Sequence, residues 1–177
     1  MIYTDGGCHN TGNNKGLGAY AFLKDEWIEN EIIIRCKKCT DTTNNRMELN
    51  AILDAAQFYD ENHIVITSDS GYCVKGFMHE AYLDKWVTNG WKLSSGGKVK
   101  NIDLWKQLYS LSFQKSIMLK LCRGHNKDRD AIRAYYNDIC DRACTFVMND
   151  ATIPISDNRI VLFYDRINDK FTKYEEV

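Results

Sequence analysis

Apolar positions run first in short strand-like stretches and then at helical spacing. Met1 to Cys8 reads as a strand that stops at Gly6-Gly7, and Asn10 to Gly18 (NTGNNKGLG) is a glycine and asparagine turn region. Ala19 to Lys24 and Glu31 to Cys36 (EIIIRC) read as two more strands, which gives an antiparallel meander. Ile52, Ala55 and Tyr59 follow Glu48 at the spacing of one helix face, so a helix is predicted over Asn44 to Tyr59. His63 to Thr67 (HIVIT) is a short apolar strand. Helices are predicted at Ser70 to His79, near Tyr82 to Thr88, and at Asp103 to Leu111, with a flexible tip, Ser94-Ser95-Gly96-Gly97, between Lys92 and Lys98. Ile117 to Cys122 is a strand. Arg129 to Met148 is a long helix with Ile132, Tyr135 or Tyr136, Ile139 and Ala143 inward. Beyond Pro154, the only proline, Arg159 to Asp165 and Lys170 to Glu175 predict a hairpin around Asn168-Asp169.

This order predicts an α/β fold: a mixed five-stranded sheet, antiparallel meander plus parallel strands, flanked by helices. Residues 1–150 are expected to form the domain and 151–177 a short C-terminal extension. The extension's hairpin could add a strand, cover a helix or serve a partner.

Composition narrows this little. A chain of 177 residues, 44% hydrophobic and 27% charged, is long enough for a real core in one domain. No run of 18 apolar residues is present, so no membrane partner is expected. Met1-Ile2-Tyr3-Thr4-Asp5 lacks the basic start and apolar run of a signal peptide. Seven cysteines, an odd number, then read as free thiols in a reducing, cytoplasmic setting. Cys36-Lys37-Lys38-Cys39 is a lone CxxC without the second pair that a zinc site requires. A net charge of −1 advertises no global affinity for nucleic acid, so any such role rests on local patches.

The chemistry lies in four acids. Asp5 is an unfavourable residue inside a strand, and Gly6-Gly7 beside it allow another group to come close. Glu48 heads the inward stripe of its helix, and its i±4 neighbours are Asn44 and Ile52, neither a cation. Asp69 directly follows the HIVIT strand, where it could equally cap the next helix. Asp141 lies in the last long helix. If the first and fourth strands pair in parallel, these acids gather at one end of the sheet. Four clustered carboxylates repel unless cations neutralise them, and all-oxygen ligands suit Mg²⁺ or Mn²⁺. Two such ions flanking a phosphodiester would activate water and stabilise the leaving oxygen.

At these positions the sequence resembles the ribonuclease H type 1 family, from about Ile2 to Met148. The resemblance is carried by YTDGGC (Tyr3 to Cys8), TTNNRMEL (Thr42 to Leu49), ITSDSGY (Ile66 to Tyr72), WVTNGWK (Trp86 to Lys92), VKNIDLW (Val99 to Trp105), RGH (Arg123 to His125) and NDICD (Asn137 to Asp141). It implies a ribonuclease H-like fold. It also implies endonucleolytic hydrolysis of the RNA strand of RNA/DNA hybrids by two Mg²⁺ ions (Mn²⁺ a possible substitute), leaving 5′-phosphate and 3′-hydroxyl ends. Asp5, Glu48, Asp69 and Asp141 match the metal ligands, and His125 matches a histidine that assists proton transfer or product departure. Uncharged amides can donate to and accept from a 2′-hydroxyl, so Asn44 and Asn45 suit the RNA strand, with Cys8 and Asn10 beside them. Tyr72 and Trp86, with Tyr82 as a further candidate, match positions that pack on DNA sugars, or else are core. Thr43 and Asn101 resemble a DNA phosphate pocket, and Lys92, Lys98 and Lys100 supply backbone charge. The expected partner is an RNA/DNA hybrid duplex bound by a monomer.

Two departures from the family stand out. The stretch from His125 to Asp141 is longer than usual, with the extra residues around Ala131 to Tyr136, and the residues after Asp150 match no familiar segment. A catalytically silent hybrid-binding domain is the alternative. The presence of all four acids argues against it, since a silent domain has no use for clustered like charges.

Overall fold

The computed structural model describes residues 1–13, 15–26, 28–78, 80–123 and 130–176. The meander is β1 (Ile2–Cys8), β2 (Gly18–Lys24) and β3 (Glu31–Cys39), paired antiparallel in chain order. Helix α1 (Asn44–Phe58) leads to β4 (His63–Ser68), which lies parallel to β1. Helices α2 (Gly71–Met78), α3 (Glu80–Thr88) and α4 (Ile102–Leu111) precede β5 (Ser116–Leu121), parallel to β4. Helix α5 (Ala131–Asn149) is followed by the hairpin of β6 (Ile160–Asp165) and β7 (Lys170–Glu176).

The sheet has seven strands rather than the expected five, in the order β5-β4-β1-β2-β3-β6-β7. Strand β3 would otherwise end the sheet with a row of unpaired backbone groups. Strand β6 pairs with it antiparallel, setting Ile32, Ile34 and Cys36 opposite Tyr164, Leu162 and Ile160. All six are buried, so the edge is closed by apolar matching as well as by hydrogen bonds.

Each sheet face carries its own core. Phe22, Ile52, Ile66, Trp105 and Leu108 pack between one face and α1, α2 and α4. Tyr3, Ala21, Ile34, Ile139, Ala143, Val147 and Leu162 pack between the other face and α5. Side chains alternate along a strand, so Tyr3 and Asp5 share the α5 face while Gly6 turns towards α1.

The same alternation disposes of the CxxC as a metal clasp. Cys36 and Cys39 are three residues apart on β3 and join the opposite cores. The inner face of α5 also differs from expectation at its start. Ile132 is 63% exposed, and it is Tyr136 that reaches inward, stacking on Tyr3 at 4.9 Å. Residues 131–136 form the first turns of α5, which is capped by the Asp130 side chain accepting from the Ile132 and Arg133 N–H groups.

Candidate active site

The site forms where β1, β4, α1 and α5 meet. A Cβ built on Gly6 would lie 2.3 Å from the Met47 carbonyl carbon and 2.4 Å from the Glu48 nitrogen. Only a residue without a side chain lets α1 touch β1 there. That contact sets Glu48 beside Asp5, its neighbour through Gly6.

Asp5 is 8% exposed and accepts a 2.7 Å hydrogen bond from the Gly6 N–H. Its carboxyl is held well above the ordinary range, first by burial and then by the charge of Asp69. The Gly6 N–H opposes the shift, and Asp141 and Glu48 add to it. The four acids singled out in the sequence therefore act on one another through space. Glu48 is raised as well, by burial first, against a hydrogen bond from Ser70, with Asp69 adding to the rise. The Ser70 hydroxyl donates to Glu48 Oε2 and accepts from the Cys73 N–H at 3.2 Å. On the α5 side, the Cys144 thiol donates to the Asp5 carbonyl at 3.5 Å and the Cys140 thiol to the Tyr3 carbonyl at 3.6 Å, lacing helix to strand.

Among the described residues, no three His, Cys, Asp or Glu side chains close around a common point as metal ligands would. The donor chemistry nonetheless fits hard divalent cations. All four groups are carboxylates, and the charges that act most on buried Asp5 are all negative.

Next to the acids lies a groove of about 450 Å³ lined by Asn10, Thr43, Asn44, Asn45, Arg46, Lys100 and Asn101. It brings together the amides assigned to the RNA strand and the Thr43–Asn101 pair. Thr43 is the N-cap of α1, yet its side chain makes no cap hydrogen bond. Asn101 sits at φ 56°, in the left-handed region that asparagine tolerates. Its side-chain amide donates to the Tyr72 hydroxyl at 3.2 Å. That hydroxyl also accepts from the Trp105 indole N–H at 2.9 Å and donates to the Lys100 carbonyl at 3.3 Å. Tyr72 therefore acts through its oxygen as the hub of the groove wall. Trp86 is half-buried, with its ring 5.3 Å from that of Trp105 and 6.2 Å from that of Tyr82. Lys92 and Lys98 bridge the base of the exposed loop between them. The Cys8 thiol is turned towards the Thr42 carbonyl, 3.4 Å away, and stays out of the groove lining. His125 lies outside the described residues.

Sequence reasoning missed two contributors. Ser70 was visible only as the second serine of SDS, and Arg46 only as the cation inside NNRME. Arg46 lines the groove because Asp103 fixes it with hydrogen bonds of 2.9 and 2.7 Å. That pairing spans α1 and α4 and has no local signature.

Fold and site together define an α/β protein built around acids that converge on one buried carboxylate. A family model, RNase H, matches residues 1–148, and the chain belongs to that family. The ribonuclease H of Acetivibrio thermocellus is 37% identical over 145 residues, 81% of this chain and 90% of the relative. The ribonuclease H of Clostridium botulinum is 33% identical over 154 residues, 86% and 97% of the two chains. Among solved structures, foamy viral protease-reverse transcriptase in complex with RNA/DNA hybrid superposes with a TM-score of 0.69 at 19% identity. That match covers 84% of this chain, and the chain spans only 20% of that much longer protein. LC9-RNase H1, a type 1 RNase H with the type 2 active-site motif, gives a TM-score of 0.62 at 20% identity, covering 99% of this chain and 76% of the other.

Proposed function

We propose that Asp5, Glu48, Asp69 and Asp141 hold two divalent metal ions, Mg²⁺ with Mn²⁺ as a substitute, and that the chain uses them to cut the RNA strand of RNA/DNA hybrids. The endoribonuclease activity itself follows from membership of the family. The observation that carries the metal reading is the convergence of three acidic charges on one buried carboxylate. When bound, divalent ions lower the pKa of water and stabilise charge on the leaving oxygen, giving 5′-phosphate and 3′-hydroxyl products.

The chain's own residues do the rest. Asn44 and Asn45 offer donors and acceptors to the 2′-hydroxyls that distinguish RNA. Thr43, Arg46 and Asn101 receive a phosphate of the DNA strand, and Tyr72 with Trp105 keeps Asn101 in place. Trp86 packs on a DNA sugar, and Lys92, Lys98 and Lys100 bring charge to the backbone. Ser70 orients Glu48. His125 assists proton transfer or departure of the product. Residues 1–150 form the catalytic domain, with 151–177 as its extension, and the working unit is a monomer.

The test is cleavage of an end-labelled RNA/DNA hybrid with Mg²⁺ and with chelator, beside the same RNA in duplex RNA. Metal-dependent cutting confined to the hybrid is expected. Cutting in chelator, or equal cutting of duplex RNA, would overturn the metal or the substrate reading respectively.

A further inference from the structure

The β6–β7 hairpin lies beyond the residues matched to the family, yet it grips α5 at the turn that carries Asp141. Arg142, the next residue, donates from Nη1 to Asp169 Oδ1 at 2.8 Å and from Nη2 to the Asp169 carbonyl at 3.1 Å. Its Nη1 also reaches the Tyr164 hydroxyl at 3.3 Å, and that hydroxyl donates to the same Asp169 carboxylate. Arg166, in the hairpin turn, donates to the Tyr136 hydroxyl at 3.3 Å. The Tyr136 ring stacks on Tyr3, two residues from Asp5 on the same face of β1. Further along α5, Phe146 packs on Phe171 at 5.1 Å. Tyr136, Arg142 and Phe146 span about 15 Å of helix at the rise of an α-helix. The hairpin thus holds α5 at three heights while β6 anchors it to β3.

We propose that the hairpin is a positioning device for the carboxylate site, in which Asp169, acting through Arg142, fixes the turn of α5 that presents Asp141 to Asp5. The need for it is electrostatic. Asp141 repels Asp5, so the helix that carries it is pushed away from β1 whenever no cation lies between them. A clamp on the outer side of α5, made by a buried-edge strand pair and a chelated guanidinium, opposes that push. The inference rests on reading Asp141 as a metal ligand.

Asp169→Gly is the direct test. Asp169 has φ 53°, which glycine adopts freely, so the variant removes the carboxylate without straining the turn. Thr172→Val is the control, because the Thr172 hydroxyl bonds to the Phe163 carbonyl inside the hairpin. Two quantities are measured on the full chain: hydrogen exchange of the α5 amides in chelator, and the Mg²⁺ concentration for half-maximal cleavage. Asp169→Gly is expected to speed exchange around Asp141 and to raise the Mg²⁺ requirement about tenfold, with KM for the hybrid unchanged at saturating metal. Asp169→Asn should recover part of both effects, since its side-chain oxygen still accepts from Arg142. Wild-type exchange and metal requirement in Asp169→Gly would overturn the proposal, as would equal effects in Thr172→Val. Asp141→Asn separates the two levels. Cleavage retained in that variant would remove Asp141 from the metal site, whereas the exchange measurement reports on the clamp without any metal.

Discussion

The buried Ser70 hydroxyl donates to the Glu48 carboxylate and accepts from the Cys73 N–H. One side chain thus joins the end of β4, the first turn of α2 and an acid of α1. Its hydrogen bond lowers the Glu48 pKa against burial and the charge of Asp69. Ser70→Ala removes that opposition, so Glu48 keeps its proton to higher pH. Cleavage is expected to fall about tenfold at neutral pH, with the acid limb of the pH–rate profile moved upward. An unmoved acid limb would show that Ser70 does not govern Glu48.

Asp5 gives a stability prediction of defined sign. Its folded pKa lies above the unfolded value, so its carboxyl favours folding fully below about pH 4 and loses that contribution as pH rises through the folded pKa. In chelator, Asp5→Asn should therefore be more stable than the natural protein at pH 7, with the gap closing towards pH 4. Mg²⁺ should raise the melting temperature of the natural protein and leave that of Asp5→Asn nearly unchanged. Thermal melts across pH in chelator check this, and a less stable Asp5→Asn at pH 7 would refute it.

Gly6 is the closest approach of strand and helix at the site. Gly6→Ala places a methyl carbon 2.3 Å from the Met47 backbone, which cannot rotate away. The expected cost is about 3 kcal/mol, at the upper end for overpacking. Cleavage should collapse even under conditions where the variant stays folded, because α1 must lift Glu48 away from Asp5. Urea unfolding beside a cleavage assay separates the two effects.

The groove amides are tested by kinetics. Asn44→Ala or Asn45→Ala is expected to raise KM for the hybrid about tenfold, the worth of a typical hydrogen bond, with kcat largely kept. Arg46→Ala should weaken binding more at low salt than at high salt, since it removes a phosphate contact along with its Asp103 pairing. A loss in kcat alone for either asparagine would move it from substrate binding to the chemistry.

Much of this was legible in the sequence because the period of apolar residues and a few punctuating glycines report local geometry directly. The strands and helices from Ile2 to Asn149 follow those patterns closely. Three of the four acids stood out because each breaks the pattern of its own element: Asp5 inside a strand, Glu48 on a buried stripe, Asp69 at a strand end; Asp141 was picked out by the NDICD match alone. Their gathering could be argued from the order of elements, since parallel β1 and β4 deliver their carboxyl ends to the same side of the sheet.

What only the tertiary structure decided are pairings between residues far apart in the chain. The fate of the extension is one: β6 joins β3 more than 120 positions away, because an apolar strand edge needed a partner and no local rule names which strand supplies it. The alternatives at the head of α5 are another, settled for Tyr136 by the ring of Tyr3 and against Ile132 by its exposure. Arg46 with Asp103, Ser70 with Glu48, and Arg142 with Asp169 are of the same kind. Periodicity determines which face a side chain takes. The partner it meets there depends on packing between elements, and packing exists only once the chain has folded.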